Sequence, residues 1–171
     1  MKLFIVIILI SPGALHANAR DDGDKMRIYL PATAALSSLL IKDIQGLEQL
    51  SLGLLVATGA TESLKFISQE RRPNGECCES FPSGHTSIAF SSAAYIHHRY
   101  GLGYSIPFYL GASYVGYSRV FANSHYSHDV LAGTAVGIAS AWASTTAFQN
   151  RPIALIVNQR YAGILYRKIW D

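Results

Sequence analysis

At 171 residues the chain has the length of one ordinary domain, enough to bury a core without metal or disulfide staples. Half of its residues are hydrophobic and 15% are charged, which is apolar for a soluble protein yet short of a chain made only of membrane spans. The formal net charge of +3 is scattered, with no Lys/Arg run or basic stripe, so nucleic-acid binding has no electrostatic support.

Residues 1–19 have the form of a secretory signal. Lys2 supplies the positive start, residues 3–11 form an apolar run, and Ala17-Asn18-Ala19 has the small-x-small pattern of a cleavage site. The apolar run falls well short of the roughly 20 residues of a spanning helix, and Pro12 closes it, so cleavage after Ala19 is expected. An exported chain matures in an oxidising compartment, where the two cysteines, Cys77 and Cys78, are chain neighbours. Adjacent Cα atoms lie about 3.8 Å apart, below the usual disulfide span, so the pair is no ordinary staple. A vicinal disulfide, an intermolecular bridge and two free thiols all remain open.

A polar leader at residues 21–25 precedes apolar stretches separated by short breaks. Residues 29–41 and 47–67, rich in Leu and Ala, predict the first two helices, with Gly46 in the gap. Two prolines and Asn74-Gly75 mark residues 68–82 as a loop. The third helix is expected over residues 83–100, capped by Ser83 and stopped by Gly101, and the fourth from Pro107 to about Arg119. The fifth, over residues 127–148, carries Gly133, Gly137 and Ala141 four apart, a small-residue face suited to close helix approach. A hairpin or a short helix fits the tail. The expected organisation is a signal at 1–19, a helical domain at 20–150 and a tail at 151–171, giving an all-α bundle of about five to six helices.

Three segments concentrate the reactive residues: Lys65 with Arg72-Pro73, Pro82-Ser83-Gly84-His85, and Ser118-Arg119 with His125 and Asp129. Lys65, Arg72 and Arg119 in so charge-poor a helical chain suggest one dense anionic ligand, because unpaired cations beside an apolar core are costly. Phosphate suits them, since guanidinium forks bind its oxygens in pairs and Lys adds a point charge. Ser83 and Gly84 open a helix whose N–H groups and dipole can meet an anion, although either residue alone reads equally well as a cap or a turn. His125 and Asp129, four apart, would share one face of a helix about 40° apart, letting the carboxylate hold the imidazole and leave its other nitrogen free for attack. The same spacing also serves a structural hydrogen bond or half of a metal site, an idea that neighbouring His128 encourages; further ligands at fixed spacing are not evident, and no metal is expected.

These residues resemble the signature of the type 2 phosphatidic acid phosphatases, whose fold is shared with vanadium haloperoxidases. The signature runs Lys-x6-Arg-Pro, Pro-Ser-Gly-His and Ser-Arg-x5-His-x3-Asp, and the chain matches it in order and spacing from Lys65 to Asp129. The resemblance implies that Lys65, Arg72, Ser83, Gly84 and Arg119 bind phosphate, that His125 attacks phosphorus while Asp129 orients it, and that His85 protonates the leaving oxygen. It implies no cofactor, a phosphorylated and lipid-linked substrate, and a place at the periplasmic side of the cell envelope, on or in a membrane. The chain departs from the family pattern in two respects. Only a short loop separates Pro73 from Pro82, and most apolar stretches fall below spanning length, residues 130–148 being the best candidate span. The rival expectations are a vanadate-dependent haloperoxidase, for which the chain is small, and a non-catalytic envelope protein that binds an anionic lipid, which has no use for His125, His85 and Asp129 together.

Overall fold

In the computed structural model, residues 19–148 are described throughout, and residues 153–158 and 161–166 through their backbone. The expected signal at 1–19 lies, except for Ala19, outside the described residues. The first helix, α1, runs Ala19–Leu40 and absorbs the predicted polar leader. Its buried residues, Ala19, Gly23, Met26, Leu30, Ala34 and Ser38, recur three or four apart, so one packing face extends through the charged stretch while the charges occupy the others. Asp21 and Asp22 in the first turn complement the helix dipole.

Helix α2 spans Ile44–Ser68. The break before it falls at residues 41–43 and not at Gly46, because the Asp43 carboxylate caps α2 by accepting from the Gly46 N–H at 2.9 Å. Helix α3, Gly84–Tyr100, ends where Gly101 adopts φ 107° and returns its N–H to the His97 carbonyl. Gly101 is the whole connection, so α4 runs Leu102–Phe121 and holds Pro107 inside it instead of starting there. Helix α5, Ser127–Ser144, stops short of the predicted residue 148. Past Ser144 the chain turns toward Arg99, whose Nη1 donates to the Thr146 carbonyl at 2.8 Å and whose carbonyl accepts from the Phe148 N–H at 2.9 Å. The tail takes the hairpin alternative: β1, Ile153–Asn158, pairs antiparallel with β2, Tyr161–Tyr166, in the register Ile153 with Tyr166.

Helix α3 packs against all four other helices. Its contact with α5 uses the Gly133, Gly137 and Ala141 face. A Cβ at Gly133 would lie 2.5 Å from the Ser83 carbonyl oxygen, and one at Gly137 would strike the Ser87 carbonyl. The stripe therefore brings the N-terminal ends of α3 and α5 together. Gly133→Ala is expected to destabilise the protein by about 1–3 kcal/mol, the usual cost of overpacking, read as a lower midpoint of thermal unfolding. Activity should fall with it, since the displaced carbonyl belongs to Ser83.

The interior is rich in small residues, among them Ala34, Ala57, Ala89, Ala93, Ala94, Ala112 and Ala141 with buried serines, packed around Leu30, Tyr95, Ile96 and Val115. Many large apolar side chains face outward, including Leu55, Leu110, Leu131, Phe66 and Ile67, the last two 80% and 75% exposed. At the end formed by the C-termini of α1, α3 and α5, the buried Asp43 carboxylate accepts from Arg99 Nη2 at 2.6 Å, Arg99 Nε at 2.7 Å and the Tyr100 hydroxyl at 2.8 Å. This closed network satisfies its own charges and ties the α1–α2 turn to α3 and the chain after α5.

Candidate active site

The helices alternate in direction, so the C-terminal ends of α2 and α4 share the other end of the bundle with the N-terminal ends of α1, α3 and α5. All the candidate residues fall there: Lys65 in the last turn of α2, Arg72 on the following loop, Ser83, Gly84 and His85 where α3 begins, Arg119 in the last turn of α4, and His125 and Asp129 at the start of α5. Several helix N-termini thus present positive dipole ends beside the cations.

His125 precedes α5, so its approach to Asp129 comes from a turn and not from the helical face that the spacing suggested. The His125 N–H donates to the Arg119 carbonyl at 3.2 Å, tying the turn to the end of α4. Its ring Nδ1 lies 3.4 Å from Asp129 Oδ2, with His125 4% and Asp129 0% exposed. Asp129 Oδ2 also accepts from Ser80 Oγ at 2.5 Å and from the Tyr126 N–H at 2.9 Å, which fixes the carboxylate. Nδ1 faces this oxygen, so Nε2 is the ring nitrogen turned away from the carboxylate. Burial, followed by the nearby Arg72 guanidinium, lowers the His125 pKa against the pull of Asp129, so the imidazole is neutral, with a lone pair, at pH 7.

The start of α3 is anchored to α5, since the Ser83 N–H donates to the Asp129 carbonyl at 3.0 Å. The buried Ser83 hydroxyl accepts from Thr86 Oγ1 at 3.0 Å, leaving its own proton to donate. A Cβ at Gly84 would sit 3.7 Å from Lys65 Nζ, an ordinary contact, so the ammonium lies beside the N-terminus of α3. Lys65 is paired on its outer side with Glu62 at 3.1 Å, and Arg72 with Glu76 at 3.2 Å. Beside Lys65 opens a cleft of about 540 Å³, bordered by Phe66, Gln69, Cys77 and Cys78. The two cysteines form the vicinal pair.

Arg119, 3% exposed, donates from Nη1 to Asp24 Oδ1 at 2.7 Å and from Nη2 to the Arg20 carbonyl at 2.6 Å. His85 Nε2 meets the same Asp24 oxygen at 2.7 Å. Asp24 and Ser80 therefore join the cluster although the signature contains neither. Burial, then Arg119 and Arg27, push the His85 imidazole down to about 4 in spite of Asp24. An arriving phosphoryl dianion would oppose those guanidinium charges and favour the protonated ring.

Glu70, His128 and Asp129 offer ligand atoms within 4.8 Å of one another. His128 Nε2 lies 2.9 Å from Glu70 Oε1, to which it is hydrogen-bonded, and 3.1 Å from Asp129 Oδ1.

A family model described as the PAP2 superfamily matches residues 47–153. A lipid A 4'-phosphatase of Helicobacter pylori is 32% identical over 140 residues, covering 75% of this chain and 68% of that protein. A lipid A 1-phosphatase of Porphyromonas gingivalis is 41% identical over 91 residues, 52% of this chain, and the chain spans 20% of that relative's length. The fold is similar to that in the crystal structure of Aquifex aeolicus LpxE, with a TM-score of 0.65, 24% identity, and coverage of 74% of this chain and 82% of that one. The family match runs from α2 into the tail and takes in the whole constellation from Lys65 to Asp129, and the chain belongs to the PAP2 superfamily, the type 2 phosphatidic acid phosphatases.

Proposed function

We propose that the chain is a metal-independent phosphatase that hydrolyses a lipid-linked phosphate monoester or diphosphate through a phosphohistidine on His125. The observation that carries this reading is the gathering of Lys65, Arg72, Arg119 and the α3 N-terminus at one end of the bundle, beside a buried, neutral His125 held at Asp129. A binding site for an anion needs the cations but not an oriented nucleophile.

In the proposed reaction the phosphoryl oxygens lie among Lys65, Arg72, Arg119, the Ser83 hydroxyl and the Gly84 N–H, which stabilise the charge spread over the equatorial oxygens. His125 Nε2 attacks phosphorus, the bond from phosphorus to the leaving oxygen breaks, and His85 gives that oxygen a proton. Water then attacks the phosphohistidine, His85 takes the proton back, the N–P bond breaks, and phosphate and neutral His125 are restored.

The names of the two relatives support a lipid A phosphate, or a lipid phosphate like it, as substrate. The many large apolar side chains on the outside, over an interior rich in alanine and serine, suit a lipid surround. Among the described residues α2, at 25 residues, is the one helix long and apolar enough to cross a membrane; the run at 130–148 is helical only to Ser144. Phe66 and Ile67 expose an apolar step beside Lys65, where an acyl chain could rest while its phosphate enters. Together with the signal pattern at residues 1–19, these features support a reaction at the periplasmic face of the envelope; cleavage after Ala19 would keep Asp24 on the mature chain.

Purified protein in detergent micelles should release phosphate from a lipid-linked phosphate and do so unchanged in EDTA, because the fixed cations supply the charge a metal would bring. Vanadate should inhibit as a mimic of the five-coordinate phosphoryl group. Activity lost to EDTA and restored by Mg²⁺ or Zn²⁺ would contradict the site, and halide oxidation on adding vanadate without any phosphatase activity would favour the haloperoxidase rival.

A further inference from the structure

Asp24 is brought to the site by a device of its own. The first turns of α1 lie against the end of α4, where a Cβ at Gly23 would collide with Ser118 Oγ and come within 2.5 Å of Arg119 Nη2. The missing side chain lets the helix approach until the Arg20 carbonyl and the Asp24 carboxylate both receive Arg119. One carboxylate oxygen then serves two partners, Arg119 Nη1 and His85 Nε2, each at 2.7 Å. Asp24 lies upstream of residues 47–153, the stretch that carries the family likeness, so the likeness assigns it nothing.

We propose that Asp24 is the positioning carboxylate of the proton-transferring histidine, holding His85 through Nε2 so that Nδ1 is the nitrogen that serves the leaving oxygen. This rests on the reading of His85 as proton donor. Each histidine then faces a carboxylate, His125 with Nδ1 3.4 Å from Asp129 and His85 with Nε2 2.7 Å from Asp24. The groups around His85 show why it needs such a partner. Arg119 on α4 and Arg27 on α1 both disfavour the imidazolium, Lys65 on α2 approaches the adjacent Gly84, and Asp24 is the acid that opposes them. Asp24 is fit for this, because Arg119 and His85 outweigh the effect of its burial and keep its carboxyl below the ordinary range, hence charged.

The test compares Asp24→Asn, Asp24→Glu, His85→Ala and the Asp24→Asn/His85→Ala pair, each on an alkyl phosphate and on nitrophenyl phosphate. Asp24→Asn should lower kcat on the alkyl phosphate by about tenfold or more and barely change it on the nitrophenyl ester, whose leaving group needs little proton help. The limb of the kcat profile on which activity is lost as pH rises should move to lower pH by about one unit, since the imidazolium has lost its stabilising charge. Asp24→Glu should recover part of the rate, and adding Asp24→Asn to His85→Ala should cost nothing further. Vanadate inhibition should persist in Asp24→Asn, showing that the phosphate pocket is intact. The inference is overturned if Asp24→Asn slows both esters equally, abolishes vanadate inhibition, or multiplies the loss of His85→Ala. A lower KM with kcat unchanged or raised would also overturn it, marking Asp24 as a competitor for the phosphate position. If His85→Ala itself shows no dependence on the leaving group, the reading of His85 fails and takes the Asp24 role with it; if His85→Ala is selective and Asp24→Asn is not, the Asp24 role alone fails.

Discussion

His125→Ala is expected to reduce kcat by roughly 10⁶-fold on every phosphate ester, activated or not, because no other group can take the phosphoryl from the leaving oxygen; removal of a nucleophile that works as part of a unit has this scale of effect. The fold should survive. His125 is buried in a turn whose hydrogen bonds to Arg119 run through the backbone, and Asp129 keeps Ser80 and the Tyr126 N–H as partners when the imidazole is removed. Comparing steady-state rates and thermal unfolding of the variant and parent protein checks both statements. A loss confined to poor leaving groups would instead assign proton transfer, and not attack, to His125.

Asp129→Asn should have the second largest effect, about 10³–10⁴-fold in kcat, with KM little changed. An amide in place of the carboxylate can present its NH₂ to Nδ1 and so favour the tautomer whose proton sits on Nε2, the nitrogen that must attack. Asp129 is also held by Ser80 and by the Tyr126 N–H at the start of α5, so part of the loss will come from reorganisation of that turn. Ser80→Ala separates the two contributions. It removes one tether and leaves the charge, and it should cost far less than Asp129→Asn. The pH profile supplies a further check: in the proposed mechanism His125 attacks as the neutral ring, so activity should fall as pH drops through its lowered pKa.

The sequence is most readable where partners are close along the chain and least where they are far apart. His125 and Asp129 are four residues apart, and their pairing follows from that spacing even though a turn, not a helix, delivers it. The Gly133, Gly137 and Ala141 stripe likewise announced a close helix contact: Gly133 and Gly137 meet the start of α3, and Ala141 lies beside Gly53 of α2. Asp24 could not be found in this way, because its bonds to His85 and Arg119 cross 61 and 95 residues. Its segment was also disguised by charge. Asp21, Asp22, Asp24 and Lys25 read as a polar leader, while Ala19, Gly23 and Met26 continue the three-and-four spacing of Leu30 and Ala34 upstream through it. Following the small residues, not the charges, would have extended α1 to the site. The end of α5 was misjudged for a similar reason, since the bonds that draw Thr146 and Phe148 away to Arg99 are long-range.

The central claim is that phosphate is transferred to His125 on its way to water. The direct measurement is rapid quench of the purified protein with substrate labelled at phosphorus, alkaline work-up that preserves phosphohistidine, and mapping of the labelled peptide. The account predicts transient label on His125, present in His85→Ala with an activated ester and missing in His125→Ala. Label on His85, or turnover at the full rate with no labelled histidine at any time, would contradict it.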